Sequence, residues 1–153
     1  MKRWLMNAGY AMRRRMLARL RLRTRGCKVM AFDGRERLLL VRHGYGRSDL
    51  WMLPGGGVGR REAPEEAARR ELMEEVGCRV ERLLLIGTYG SAAEGKRDTI
   101  HLFRGETADD PRVDGLEVIE ARFFALDALP STTSPATLRR VADLRRGRGG
   151  GPW

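Results

Sequence analysis

Hydrophobic and polar positions follow two periodicities along this chain, and together they predict a fold that mixes strands and helices. Short apolar runs bounded by turn residues predict β-strands over Cys27–Phe32 and Leu38–Val41, with Asp33-Gly34 turning the chain between them. Three further strands are expected at Arg82–Tyr89, Thr99–Arg104 and Leu116–Phe124. Leu126–Pro130 has the pattern of a brief helical turn, and Pro135–Arg146 that of a closing helix.

A longer helix is predicted to begin at Pro64 and to end before Gly77. Proline suits the first helical position, the two glutamates that follow it complement the helix dipole, and glycine suits a left-handed end. The apolar stripe of this helix is expected to consist of Leu72, Met73 and Val76. The preceding segment, Leu53–Gly57, is so rich in glycine that we expect a loop rather than a strand or a helix.

Three carboxylates of this helix stand at positions i, i+3 and i+4. They belong to Glu71, Glu74 and Glu75, so they share one helix face. Like charges at this spacing repel one another and weaken an isolated helix. A hard divalent cation such as Mg²⁺ or Mn²⁺ would convert the repulsion into coordination, because it prefers oxygen ligands. A solvated acidic face is the ordinary explanation of such a triplet, so the surrounding residues must decide between the two.

The surrounding run, residues 56–78, resembles the Nudix box, which marks the Nudix hydrolase family. The box reads G-x5-E-x7-R-E-U-x-E-E-x-G-U, with U a bulky apolar residue, and eight of its nine defined positions match over 23 residues. The matching residues are Gly56, Glu62, Arg70, Glu71, Leu72, Glu74, Glu75 and Gly77. Cys78 stands where Ile, Leu or Val is usual, and a buried cysteine is an acceptable small hydrophobe. Ala63 replaces the threonine that caps the helix in relatives, at a cost of about 1 kcal/mol.

The resemblance covers roughly residues 26–146 and carries expectations about fold and chemistry. It implies an α/β/α sandwich around a mixed β-sheet, with the box as a loop-helix motif. It also implies a hydrolase that uses Mg²⁺ or Mn²⁺ to cleave the diphosphate linkage of a nucleoside diphosphate attached to another group. Glu71 and Glu75 are then the leading metal ligands, followed by Glu74 and the backbone carbonyl of Gly56.

Two further residues of the box are expected to position these groups. Arg70 would pair with Glu74 or orient Glu71, and Glu62 would fix the loop to the helix. A purely structural salt bridge is the alternative for both. The general base is left open between Glu71 and an acid outside the box, for which Glu117 is favoured by its place shortly before the aromatic pair at 123 and 124.

The sequence gives weaker evidence for the residues that contact the substrate. Arg42, Arg47 and Arg97 could contact phosphate by charge alone. Tyr45 could stack on a nucleobase, although an aromatic residue in a small domain is more often part of the core. The two histidines, at positions 43 and 101, are interpreted as ordinary strand residues.

The motif indicates which bond is cleaved but not what flanks it. The candidate substrates are damaged or canonical nucleoside triphosphates, nucleotide sugars such as ADP-ribose, dinucleoside polyphosphates, and capped or triphosphate RNA ends. A rival function of a different class is a catalytically silent Nudix-fold regulator that binds nucleotides. Such modules tend to lose carboxylates of the box, whereas this box keeps all of them.

The net charge of +10 lies entirely in an N-terminal arm. Residues 1–28 hold ten Lys plus Arg and no acid, and the remaining residues balance. We therefore divide the chain into a basic arm (1–25), a catalytic domain (26–146) and a Gly/Arg tail (147–153) that is expected to be disordered. Apolar residues at every fourth position predict a basic amphipathic helix in the arm. Such a helix could bind an anionic membrane surface or RNA phosphates, or it could resemble a transit peptide. Alternatively, its apolar stripe packs on the domain or on a second subunit of a homodimer.

The cysteines and the hydropathy favour a cytoplasmic protein. Cys27 and Cys78 are isolated and form no disulfide framework, which fits a reducing compartment. No apolar run approaches the roughly 20 residues that a membrane-spanning helix needs. The arm could still hold the protein at the periphery of a membrane.

Overall fold

The structure is a computed structural model that describes residues 23–91 and 97–153. In these ranges, seven strands form one mixed sheet that carries a helix on each face. The strands are β1 (Arg23–Phe32), β2 (Leu38–His43), β3 (Gly55–Gly57), β4 (Glu81–Ser91), β5 (Arg97–Glu106), β6 (Val118–Phe124) and β7 (Gly151–Pro152). The helices are α1 (Pro64–Val76) and α2 (Pro135–Arg145). The expected α/β/α sandwich with a mixed sheet is confirmed.

The sheet is organised around β1. The strand order is β6-β2-β1-β5-β4-β7, and β1 runs parallel to β5 along its whole length. On its other edge, β1 meets β2 only where Phe32 pairs with Leu38, while the short strand β3 pairs with residues 26–28. One edge of β1 therefore serves two partners, and this arrangement places the glycine-rich segment beside the start of the central strand.

The two faces of the sheet bury separate apolar layers. Along β1, Val29 and Ala31 pack with residues of α1, whereas Met30 and Phe32 pack with residues of α2. This alternation is what a strand covered on both sides requires. Helix α1 therefore covers one face of β1, and the candidate site lies on this side of the sheet.

Helix α1 has the predicted bounds. Gly77 adopts the left-handed conformation (φ 66°) and its backbone N–H donates to the carbonyl of Met73 at 2.9 Å. Ala63 provides no side-chain cap, but the carboxylate of Glu66 accepts the Ala63 N–H at 3.1 Å. The predicted apolar stripe is wrong in one position: Leu72 and Val76 are buried, whereas Met73 is 44% exposed. Alanines 67 and 68 fill the buried face instead.

The segment expected to be a loop contains a strand. Gly55–Gly57 forms β3, whose register pairs Cys27 with Gly56 and Lys28 with Gly55. Triple glycine has little intrinsic preference for a strand. The pairing exists because β1 supplies a partner and because Gly55 adopts φ 142°, a conformation that side chains rarely tolerate.

Other boundaries differ modestly from the prediction. The first strand begins at Arg23, three residues before the expected domain boundary at 26. Residues 126–130 form a turn rather than a helix, closed by the Ala128 N–H on the carbonyl of Ala125 at 3.0 Å. The amphipathic helix expected over most of the arm falls on residues 1–22, which lie outside the described residues. Among the described residues, no helix is long and apolar enough to span a membrane.

The C-terminal tail is packed against the sheet, which differs from the disordered tail expected from its glycines. Strand β7 runs parallel to β4, and the Trp153 N–H donates to the carbonyl of Gly90 at 2.8 Å. The Trp153 ring meets Tyr89 edge-on at 5.5 Å between centroids. The Arg140 guanidinium lies 4.1 Å from the Tyr89 ring and 5.0 Å from the Trp153 ring. An aromatic anchor at the end of the tail thus compensates for the flexibility of its glycines.

Replacing Trp153 with alanine should lower the free energy of unfolding by about 2 kcal/mol, because the indole loses its contacts with Tyr89 and Arg140. Urea denaturation followed by circular dichroism measures this change. Leu138→Ala is the matched control, since Leu138 is 47% exposed on the helix that carries Arg140; it should change the value by less than about 0.5 kcal/mol. Equal changes in both variants would contradict the packing of the tail.

Candidate functional site

The acidic face of helix α1 packs against the backbone of β3. A Cβ atom at Gly56 would lie 2.5 Å from the carboxylate carbon of Glu71, so only glycine leaves this carboxylate in place. The Glu71 side chain is 16% exposed. The structure therefore places Glu71 and the Gly56 backbone in direct contact, as the box predicts.

Glu75 is the buried member of the acidic triplet. It is 7% exposed, and its Oε2 accepts the Gly55 N–H at 2.9 Å. On the other side, Oε1 lies 3.8 Å from the Nε2 of His43. Burial raises the pKa of Glu75 to about 7, against the opposing effects of the Lys28 charge and the Gly55 N–H. Without a cation, the ionised form of this carboxylate is therefore disfavoured.

Arg70 joins the loop to the acids of the helix. Its Nη1 donates to Glu71 at 2.8 Å and to Glu74 at 3.2 Å, so both partners considered for it are present. Its Nε and Nη2 donate to the two oxygens of Glu62 at 2.8 and 3.0 Å, and Nη2 also reaches the carbonyl of Gly57 at 3.0 Å. This fork-to-carboxylate geometry suits a guanidinium and not an ammonium group.

Glu62 binds both the backbone of its own loop and the Arg70 side chain. Its Oε2 accepts the Gly59 N–H at 2.8 Å while both oxygens accept from Arg70. Arg70 accordingly lowers the pKa of Glu62 to about 2, with help from the Gly59 N–H. The contacts are those expected of a residue that fixes loop to helix.

The acidic triplet is held apart in this arrangement. Glu74 is 60% exposed, Glu71 is drawn to Arg70, and Glu75 faces the Gly55 N–H. Within residues 23–91 and 97–153, no three Asp, Glu, His or Cys side chains already face one another closely enough to hold a cation. The donor set nevertheless fits a hard divalent cation, because it consists of oxygens alone and the lack of a Cβ at Gly56 lets the Glu71 carboxylate approach the β3 backbone.

The other residues predicted for the site are less closely grouped. Glu117 is exposed in the segment before β6, and its charge acts on Glu75. The Arg42 guanidinium is held by Glu120 at 2.6 Å and lies over the Trp51 ring. Arg47 is exposed and paired with an aspartate in its own loop. The side chain of Arg97 lies outside the described residues.

Three residues near Glu75 complete the site, and sequence reasoning treated two of them as unrelated to it. His43 was interpreted as an ordinary strand histidine, although its alternation with Leu39 and Val41 points it to the α1 side of the sheet. Lys28 was expected in the first strand and counted among the basic residues of the N-terminal segment, with no role in the site. Tyr45, a predicted stacking residue, packs at 5.1 Å against the His43 ring. Burial lowers the pKa of His43 to about 4, and the Lys28 charge adds to this effect.

Replacing Glu62 with glutamine should destabilise the fold at pH 7, because the charged partner of Arg70 is lost. The pKa of Glu62 is lowered on folding from 4.5 to about 2, so its stabilising effect is present above pH 4.5 and disappears as the pH falls through about 2. Urea midpoints of parent and variant should therefore converge over this window. Glu65→Gln is the control on an exposed pair of α1; the same convergence there would contradict the assignment.

Comparisons with known proteins agree with this geometry. The sequence model of the NUDIX domain matches residues 22–144. A Bacillus subtilis (strain 168) protein named "Putative 8-oxo-dGTP diphosphatase" is 34% identical over 127 residues, covering 81% of each chain. "NAD-capped RNA hydrolase NudC" from Salmonella heidelberg (strain SL476) is 29% identical over 117 residues, covering 74% of this chain and 44% of that protein. The chain thus spans less than half the length of NudC.

A solved structure has the same fold. The crystal structure of MutT NUDIX hydrolase from Burkholderia pseudomallei superposes with a TM-score of 0.71 and 28% sequence identity, covering 79% of this chain and 97% of that one. The family match, the fold and the arrangement of the box residues lead to one conclusion. The chain belongs to the Nudix hydrolase family.

Proposed function

We propose that this chain is a divalent-metal-dependent hydrolase that cleaves the diphosphate linkage of a nucleoside diphosphate joined to another group. One observation carries the proposal: the carboxylates of Glu71 and Glu75 flank the backbone of β3 within a Nudix box that keeps all of its acidic residues. Neither carboxylate is in a place that stability alone favours. Glu75 is buried with a raised pKa, and Glu71 occupies space that only a glycine leaves open.

The metal would be held by oxygen ligands at this corner. Members of the family generally use divalent cations, and Mg²⁺ or Mn²⁺ suits this donor set. Glu71 and Glu75 would bind it, with Glu74 and the Gly56 carbonyl as further ligands. The bound cation supplies neutralisation of phosphate charge and acidification of a water molecule.

Arg70 and Glu62 would act on the positions of these groups. Arg70 now binds Glu71 and Glu74 from the solvent side, and Glu62 binds Arg70 on its far side. Because Glu62 holds two of the guanidinium nitrogens, Arg70 would stay anchored to the loop if Glu71 were released to bind a cation. The loop and helix would then keep their spacing.

Two groups compete for the role of general base. Glu117 is exposed and lies near enough for its charge to affect Glu75, which supports its assignment to proton transfer. Glu71 remains the alternative, since it lies in the box itself. Glu117→Gln separates the two: if Glu117 is the base, the variant should lose turnover while its Mn²⁺ dissociation constant stays unchanged, and turnover close to that of the parent would favour Glu71. Glu71→Gln should weaken both metal binding and turnover, because Glu71 is also a proposed metal ligand.

The substrate class rests on the relatives. One is named for an oxidised nucleoside triphosphate and the other for an NAD cap on RNA, and both compounds contain a nucleoside diphosphate. Tyr45 and Arg47, in the loop after β2, are our candidates for base and phosphate contacts. Arg42 would have to exchange Glu120 for a phosphate, and Arg97 is a candidate by charge. A regulator that binds nucleotides without hydrolysis is disfavoured by the complete set of carboxylates.

Replacing Glu75 with glutamine should reduce turnover at least about 100-fold, a barrier increase of about 3 kcal/mol, because a metal ligand loses its charge. Chromatographic quantification of the cleavage products from a panel of nucleoside triphosphates, ADP-ribose, dinucleoside polyphosphates and capped RNA, with Mg²⁺ and with Mn²⁺, measures this loss. Parent activity should stop in excess chelator. Turnover that persists under chelator would refute the metal-dependent mechanism.

Stability provides a second measurement for the same variant. The pKa of Glu75 is raised on folding, so its favourable contribution exists below pH 4.5 and is lost as the pH rises through about 7. In metal-free buffer at pH 8, Glu75→Gln should therefore be at least as stable as the parent. Glu65→Gln is the matched control on the same helix and should keep full activity. If both variants turned over like the parent, Glu75 would have no place in the site.

The arm provides a prediction of its own. Deleting residues 1–22 should leave hydrolysis of small nucleotides within a few-fold, since β1 begins at Arg23 and the residues of the box lie at 56–78. If the arm binds anionic vesicles or RNA, the deletion should abolish salt-sensitive binding measured by vesicle and RNA pull-down. If it packs on the domain or on a second subunit, sedimentation and thermal melting should change instead. Unchanged vesicle and RNA binding by the truncated protein would exclude the first role.

A further inference from the structure

His43 lies directly behind the metal-binding carboxylate of Glu75. It is the last residue of β2 and is 5% exposed, and its Nε2 is 3.8 Å from Oε1 of Glu75. The other oxygen of that carboxylate is fixed by the Gly55 N–H at 2.9 Å. Glu75 is thus bounded on two sides, by a backbone donor from β3 and by the imidazole from β2.

The imidazole is suited to orient the carboxylate in either protonation state. A neutral ring with its hydrogen on Nε2, and an imidazolium ring, both direct an N–H dipole at Oε1. The distance of 3.8 Å exceeds that of a hydrogen bond, so the two groups are in contact without being bonded. The Tyr45 ring packs against the imidazole at 5.1 Å between centroids, tilted by 38°.

A structural role accounts poorly for a histidine at this position. Its Nδ1 is buried and makes no hydrogen bond of normal geometry within the described part of the chain, although the Glu117 backbone acts on the ring and opposes the lowering of its pKa. A buried nitrogen without a partner costs free energy, whereas an aliphatic residue here would bury no polar atom. The neighbours on the same face of the strand, Leu39 and Val41, are aliphatic.

We propose that His43 is a positioning residue that holds Glu75 in the orientation in which it binds the divalent cation. The inference rests on the proposed function, since it assigns Glu75 to the metal. Partners that orient metal ligands typically change metal affinity 10- to 100-fold, and because Nε2 acts on Glu75 from 3.8 Å, an effect at the lower end of this range is expected. His43 would contribute in this way without contacting the cation or the substrate.

Two amides of different length provide the test. A glutamine at position 43 places its amide nitrogen near the position of Nε2, whereas an asparagine is too short to reach Glu75. Titration of the metal-free protein with Mn²⁺, with free Mn²⁺ measured by electron paramagnetic resonance, reports the dissociation constant. We expect His43→Asn and His43→Leu to raise it at least tenfold, and His43→Gln to remain within about threefold of the parent.

Thermal melting in metal-free buffer separates positioning from packing. Removing the unpartnered nitrogen should leave the melting temperature of His43→Leu unchanged or higher. A packing role predicts the reverse, namely a lower melting temperature with an unchanged Mn²⁺ dissociation constant. His101→Gln controls for the loss of the only other histidine in the chain and should leave the dissociation constant unchanged.

The outcomes distinguish this inference from the proposed function. If the parent binds Mn²⁺ and hydrolyses a nucleotide, but the asparagine and leucine variants bind Mn²⁺ as tightly, only the positioning role is overturned. If the parent binds no Mn²⁺ and cleaves nothing in the panel, the proposed function fails and the role of His43 fails with it. Weaker binding by asparagine and leucine together with retention by glutamine supports the proposal.

Discussion

The close approach of helix α1 to the backbone of β3 is the constraint on which the site depends. A side chain at Gly56 would collide with the Glu71 carboxylate, and Gly55 adopts a backbone conformation that side chains rarely accept. Because β3 is bound to β1 by pairing, its backbone is a rigid surface and not a mobile loop. Carboxylates projecting from α1 therefore meet backbone groups at fixed positions, and the Gly55 N–H can bind Glu75.

Electrostatics explains how the fold tolerates so much negative charge at one point. Arg70 neutralises the exposed side of the triplet through Glu71 and Glu74, and it is itself anchored by Glu62. On the buried side, burial raises the pKa of Glu75, and the Lys28 charge and the Gly55 N–H oppose this effect only in part. A buried carboxylate in this position is a cost to stability that a bound cation would offset. Functional sites commonly break the rules of stability in this way.

Local interactions could be predicted from the sequence, and long-range ones could not. Proline, the first-turn glutamates and Gly77 determine where α1 begins and ends, and its bounds were predicted correctly. The contacts of Arg70 follow from helix spacing and from the box. Strand β3 was missed because three glycines have no strand preference of their own, and the tail was missed because Trp153 packs on a residue distant in sequence. The approach of His43 to Glu75 could not be predicted either, because it depends on the packing of β2 against α1.

The central claim is that a divalent cation binds at the corner between α1 and β3, and crystals grown with Mn²⁺ test it most directly. Anomalous scattering at the manganese edge locates the ion independently of any assumption about the protein. The account predicts a peak bounded by the carboxylates of Glu71 and Glu75 and by the Gly56 carbonyl, with Glu71 turned away from Arg70. A peak elsewhere on the protein, or no peak with Glu71 still bound to Arg70, would contradict it.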